Sequence, residues 1–122
     1  MSDPDLTTTN GTPTIATGAD IVSILDGYVC CGEVRVLAHS DDNNYACWFF
    51  KFLAKRSGST VTIVNQSLNL ATQKSAGALL WNVSLADSSE DGAINIIVTG
   101  GLLQNVAWTC YSAILATLAP AT

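Results

Sequence analysis

The sequence predicts an all-β fold: an antiparallel β-sandwich or barrel of seven to eight short strands, preceded by an extended N-terminal arm. Three observations point there. The last third alternates apolar and polar residues with a period of two, the spacing at which side chains share one face of a strand. Turn-forming clusters of Gly, Asp, Asn and Ser recur every eight to twelve residues. A helix over Leu70 to Leu80 would have to pass through Gly77 and would have little reach.

Residues 1–18 stand apart from the rest. Thr7, Thr8, Thr9, Asn10, Gly11, Thr12, Pro13 and Thr14 include no apolar side chain, and Ile15 follows them. The segment predicts an extended arm, unstructured alone and ordered by a partner, and its candidate contact residues are Thr7–Asn10 and Thr12–Ile15. Residues 19–122 then form the β domain. Ile21 to Leu25 is a short strand stopped by Asp26-Gly27. Tyr28 to Ala38 follows, with Val29, Val34 and Val36 as candidate core and an irregularity expected at Gly32. After the polar turn Ser40 to Asn44, Tyr45 to Lys55 is apolar on both faces, which predicts a central strand covered on both sides.

Arg56-Ser57-Gly58-Ser59 turns the chain into the β-branched run Thr60 to Val64, and Gln66 to Thr72 is a weaker strand. Ala78 to Ala86 places Trp81, Val83 and Leu85 on one face. Ser88 to Gly92 is an acidic turn. Ala93 to Gly100 repeats the alternation with Ile94, Ile96 and Val98, and Val106 to Leu118 closes the chain with Val106, Trp108 and Cys110 aligned.

A chain of 122 residues makes one domain able to bury roughly two-thirds of its unfolded surface. Charged residues are only 12% of it, against ~25% in ordinary soluble domains. Thr, Ser, Asn and Gly take their place, which suits sheets with neutral outer faces or surfaces covered by neighbouring chains. The net charge is −5, so nucleic acid is not an expected partner, since phosphate binding needs clustered Lys and Arg. The one basic group, Lys51, Lys55 and Arg56, reads as a solvated strand end. No apolar run approaches the ~18 residues of a membrane span, and the acidic start lacks the basic and apolar regions of a signal peptide. Synthesis in a cytoplasm is the expectation, with Cys30, Cys31, Cys47 and Cys110 reduced and packed as small core residues.

Little in the chain suggests chemistry. His39 precedes Ser40 and Asp41, but neighbours on one strand end do not make a Ser-His-Asp triad. The acid pairs Asp41-Asp42 and Glu90-Asp91, like Asp20 and Asp26, fall at turns, where Asp is favoured for backbone reasons. There is no CxxC spacing for zinc and no phosphate-binding glycine loop at Gly100-Gly101. Asn10, Asn65 and Asn82 match the glycosylation pattern, which means nothing without a secretory signal. Trp48, Trp81 and Trp108 lie inside apolar strands and read as core rather than sugar-stacking platforms. The reading is a non-enzyme with no cofactor and no metal.

Taken in series, several elements resemble a β-sandwich module of tailed-bacteriophage virion proteins. They are the aromatic strand Trp48 to Phe52, the turn Lys55-Arg56-Ser57-Gly58, Thr60 to Val64, and Trp81-Asn82-Val83-Ser84-Leu85. Asp91 to Gly100 and Val106-Ala107-Trp108 complete the series, and the resemblance covers roughly residues 30 to 112. The resemblance implies a virion structural protein, commonly homotrimeric, with no catalytic residues. Beginning at Met1 without a fibre shaft, the chain looks more like a capsid decoration, or cement, protein that binds the major capsid protein or another virion protein. The alternative it implies is a tail-fibre or tail-tip module that binds host surface glycan.

Overall fold

The computed structural model describes residues 6–16, 22–88 and 92–120, with residues 68–71 described by their backbone. Eight strands are present among them: β1 (Leu6–Thr8), β2 (Thr14–Ile15), β3 (Tyr28–Ser40), β4 (Tyr45–Ser57), β5 (Thr60–Lys74), β6 (Asn82–Ala86), β7 (Asn95–Thr99) and β8 (Val106–Leu118). They form two antiparallel sheets, ordered β1-β8-β3-β4-β5 and β2-β7-β6. Neither sheet closes on itself, so the architecture is the sandwich and not the barrel.

The turns follow from their residues. β3 and β4 are joined at Asp41–Asn44, where Asn43 takes a left-handed φ of 60° and Ser40 N–H donates to Asn44 O at 2.8 Å. β4 and β5 are joined by the two residues Gly58-Ser59, with Gly58 at φ 63°. That is the first loop position, where a type II′ hairpin needs positive φ.

The small sheet lies on one face of the large one. Val34, Val36, Trp48, Phe50, Val106 and Trp108 point inward from the large sheet and meet Val83, Leu85, Ile96 and Val98 from the small one. Each such side chain contributes about 1.5–3 kcal/mol by leaving water. Three indoles sit at the centre: Trp48 stacks on Trp108 at 5.6 Å between centroids, and Trp81 tilts against Trp108 at 6.1 Å.

Several elements differ from expectation, each for a physical reason. Thr60 to Val64 and Gln66 to Thr72 are one strand, β5, because register shifts opposite Phe49/Lys51 and Leu53/Ala54 absorb the mismatch that the sequence shows as a break. The expected strand over Ile21 to Leu25 is a single bridge, Ser23 to Ala93, that buries Val22 and Ile24; Ile21 itself lies outside the described residues. Gly32 carries no bulge, since its pairing with Phe52 and Ile114 is in continuous register. The glycine is needed because a Cβ there would stand 2.3 Å from Ala113 O. Ala76–Ala78 is a 3₁₀ turn, so Leu79 and Leu80 precede β6 instead of lying in it. The segment expected as an arm supplies an edge strand to each sheet. β1 pairs with β8 and β2 with β7, so the division at residue 18 does not separate this segment from the sandwich.

Candidate functional site

Strand alternation gives β3, β4 and β8 two faces, and the small sheet covers only one. On the other, register sets Leu53, Cys31 and Leu115 side by side, then Lys51, Glu33 and Ala113. Next come Phe49, Arg35 and Tyr111, and then Cys47, Leu37 and Thr109. β4 is therefore not covered on both sides within the chain. Leu115 is 75% exposed and Leu37 and Tyr111 are 59% and 57% exposed. Two shallow depressions mark the face. One, about 470 Å³, lies between Cys31, Lys51 and Leu115; the other, about 530 Å³, lies between Leu37, Phe49 and Tyr111.

The charge on this face is opposite to that of the whole protein. Arg35, Lys51 and Lys55, three of the five basic residues of the chain, lie on it, against one acid among the described residues, Glu33. Arg35 is 3.8 Å from Glu33, and its guanidinium sits 5.0 Å above the Phe49 ring, a cation–π contact that holds it flat on the sheet. The expected basic group thus divides: Lys51 and Lys55 are exposed on the face, whereas Arg56 donates to Ile24 O and Gly58 O, both at 2.6 Å, and ties down the far end.

At the near end, the loops after β3, β5 and β7 meet in a polar network. Asp42 accepts from Ser40 Oγ and from Gln104 Nε2 at 3.1 Å, and these hydrogen bonds, that of Ser40 first, hold its carboxyl below the ordinary value of 3.8. Asn105 Nδ2 donates to Asp41 Oδ2 at 2.9 Å, and Trp81 Nε1 donates to Gln104 Oε1 at 2.9 Å. Lys74 Nζ folds under the loop onto Leu79 O and Trp81 O. On this braced platform stand Leu79, Leu80, Leu102 and Leu103, with Leu80 89% and Leu103 91% exposed. Leu103 has a φ of 61°, a backbone region where a leucine is an outlier.

The sequence-marked residues are placed as follows. Thr8 is buried and accepts the Trp108 indole N–H at 2.9 Å. Thr7 stands beside it in β1 and is exposed. Thr9, Asn10, Thr12 and Pro13 form an exposed crossing between the sheets, in which Asn10 Oδ1 accepts from Thr12 N–H at 2.9 Å. Thr14 and Ile15 make β2. Removing residues 1–18 would strip an edge strand from each sheet. His39 Nε2 lies 2.9 Å from Asn43 Oδ1, while Ser40 binds Asp42, so the three do not form a triad. Among the described residues no group of three or more His, Cys, Asp or Glu is placed to hold a metal ion; Asp20, Glu90 and Asp91 lie outside them.

The cysteines divide too. Cys30 is in the core, where burial pushes its thiol up, but Cys31 is exposed and Cys47 and Cys110 are half-buried. All three tryptophans are in the core, so none offers an indole face to a sugar. The outer face is where expectation and structure part: apolar residues on both faces of Tyr45 to Lys55 predict a central strand covered on both sides, and within the chain only one side is covered. No protein-family model, curated protein or solved structure matches this chain.

Proposed function

We propose that this protein is a structural assembly protein of a bacteriophage virion, a capsid decoration protein that associates with copies of itself, as a trimer, and braces contacts between capsomers. One observation carries the assembly part: the apolar, aromatic outer face of the large sheet, left uncovered by the chain. The virion part rests on the resemblance of the strand series from Trp48 to Trp108 to phage β-sandwich modules.

A second copy is the occupant that suits the face. Three strands of 13 residues each, flanked by β5, offer on the order of 600–800 Å² at ~3.3 Å per residue and ~4.8 Å between strands. A stable protein–protein interface needs about 800 Å² per partner. The face also carries Tyr111, Phe49 and Arg35, and aromatic residues and Arg are the types enriched in interface cores. Contacts of modest strength repeated over a symmetric shell would then add up by avidity.

The test is co-sedimentation with tailed-phage capsids stripped of decoration, using the wild-type chain and the doubly substituted Leu37→Asp/Tyr111→Asp variant. Saturable binding by the wild type and its loss in the variant are expected. A wild-type chain that stays in the supernatant overturns the virion reading. A variant that binds equally well overturns the role of the face.

A further inference from the structure

The assembly reading leaves open which surface of the second copy meets the outer face, and the leucine-tipped end supplies the answer. We infer that the end carrying Leu79, Leu80, Leu102 and Leu103 docks onto the outer sheet face of the next copy, in a head-to-face contact. This rests on the proposal that the chain self-associates.

Charge complementarity favours this pairing. The tip is apolar with Asp41 and Asp42 at its base, both tied by hydrogen bonds to the loop that holds Leu102 and Leu103. Its nearby cation, Lys74, is turned onto the carbonyls of Leu79 and Trp81. The outer face is apolar with Arg35, Lys51 and Lys55 on it. Acid-based knobs thus meet basic-flanked depressions, whereas two outer faces laid together would oppose an excess of positive charge on both sides.

The tip is also built to be presented. Trp81 and Gln104 brace the two leucine loops against each other at 2.9 Å, and Gly101 leaves the space this requires, since a Cβ there would stand 1.6 Å from Gln104 Oε1. Leu103 occupies a backbone conformation that glycine would adopt without strain, yet its side chain is 91% exposed and contributes little packing to its own fold. Large apolar side chains fixed on a rigid loop lose little entropy on docking.

Such a contact is heterologous, using two different patches, so it closes into a ring or continues as a filament. A trimer is the ring that the virion reading calls for.

The experiment separates the two patches. A tip variant, Leu80→Asp/Leu103→Asp, keeps the face. A face variant, Leu37→Asp/Tyr111→Asp, keeps the tip. All four positions are exposed, and Asp tolerates the left-handed backbone at 103; circular dichroism and denaturant unfolding verify that both variants fold. At a concentration where the wild type associates, each variant alone is expected to be monomeric by light scattering. Mixed in equal amounts they form a 1:1 dimer, about twice the 12.8 kDa chain mass, because one intact tip meets one intact face. A tip variant that associates as the wild type does, or a mixture that stays monomeric, overturns the head-to-face contact and leaves self-association standing. A wild type that is monomeric throughout overturns both.

Discussion

Three indoles meet at the centre of the sandwich, and a buried indole N–H is costly unless it finds an acceptor. For Trp108 that acceptor is Thr8 Oγ1, so one hydroxyl from the N-terminal segment satisfies the middle of the core. Thr8→Val keeps the shape and removes the acceptor. It is expected to cost about 1–3 kcal/mol, read as a lower denaturant midpoint with an unchanged slope; a midpoint equal to the wild type's would contradict it. Asp42 makes a second prediction. Its lowered pKa means that its hydrogen bonds favour the charged form in the folded state. The stability they contribute is present above pH 3.8 and is lost as pH falls through the lowered value. Carboxyl titration by NMR should give Asp42 a pKa below 3.8; a value at or above it would remove the Ser40 and Gln104 bonds from the account.

At the scale of elements, the closest backbone approach at a glycine among the described residues lies between β3 and β8. Gly32→Ala would place a methyl 2.3 Å from Ala113 O, and because that atom is backbone, a strand must shift. About 1–3 kcal/mol of destabilisation is expected, as for overpacking, and unchanged thermal unfolding would contradict it. This is also where sequence reading succeeded and failed on one signal. The alternation of Trp81, Val83 and Leu85 and of Ile94, Ile96 and Val98 locates β6 and β7, because burial on one face leaves a period of two, but it does not show that β6 starts only at Asn82. Gly32 was legible as special, but a glycine that admits a neighbour and one that marks a bulge look alike in one dimension. Thr8 was hidden for a related reason: its partner lies 100 residues away, and nothing local distinguishes it from Thr7 or Thr9.

For the whole molecule, the distribution of charge and apolar surface matters more than any single site. An acidic chain concentrates basic residues on one uncovered sheet face and exposes leucines at one end. The sequence showed strands apolar on both sides but not how many layers cover them, since a strand buried by its own chain and one buried by a copy have the same pattern. The most direct test is the solution mass of the wild-type chain across a concentration series by light scattering, with Leu37→Asp/Tyr111→Asp alongside. The outer face as an assembly interface predicts a mass that rises above one chain with concentration for the wild type and stays at one chain for the variant. A wild-type mass of one chain at every concentration, or a variant that associates equally, would contradict it.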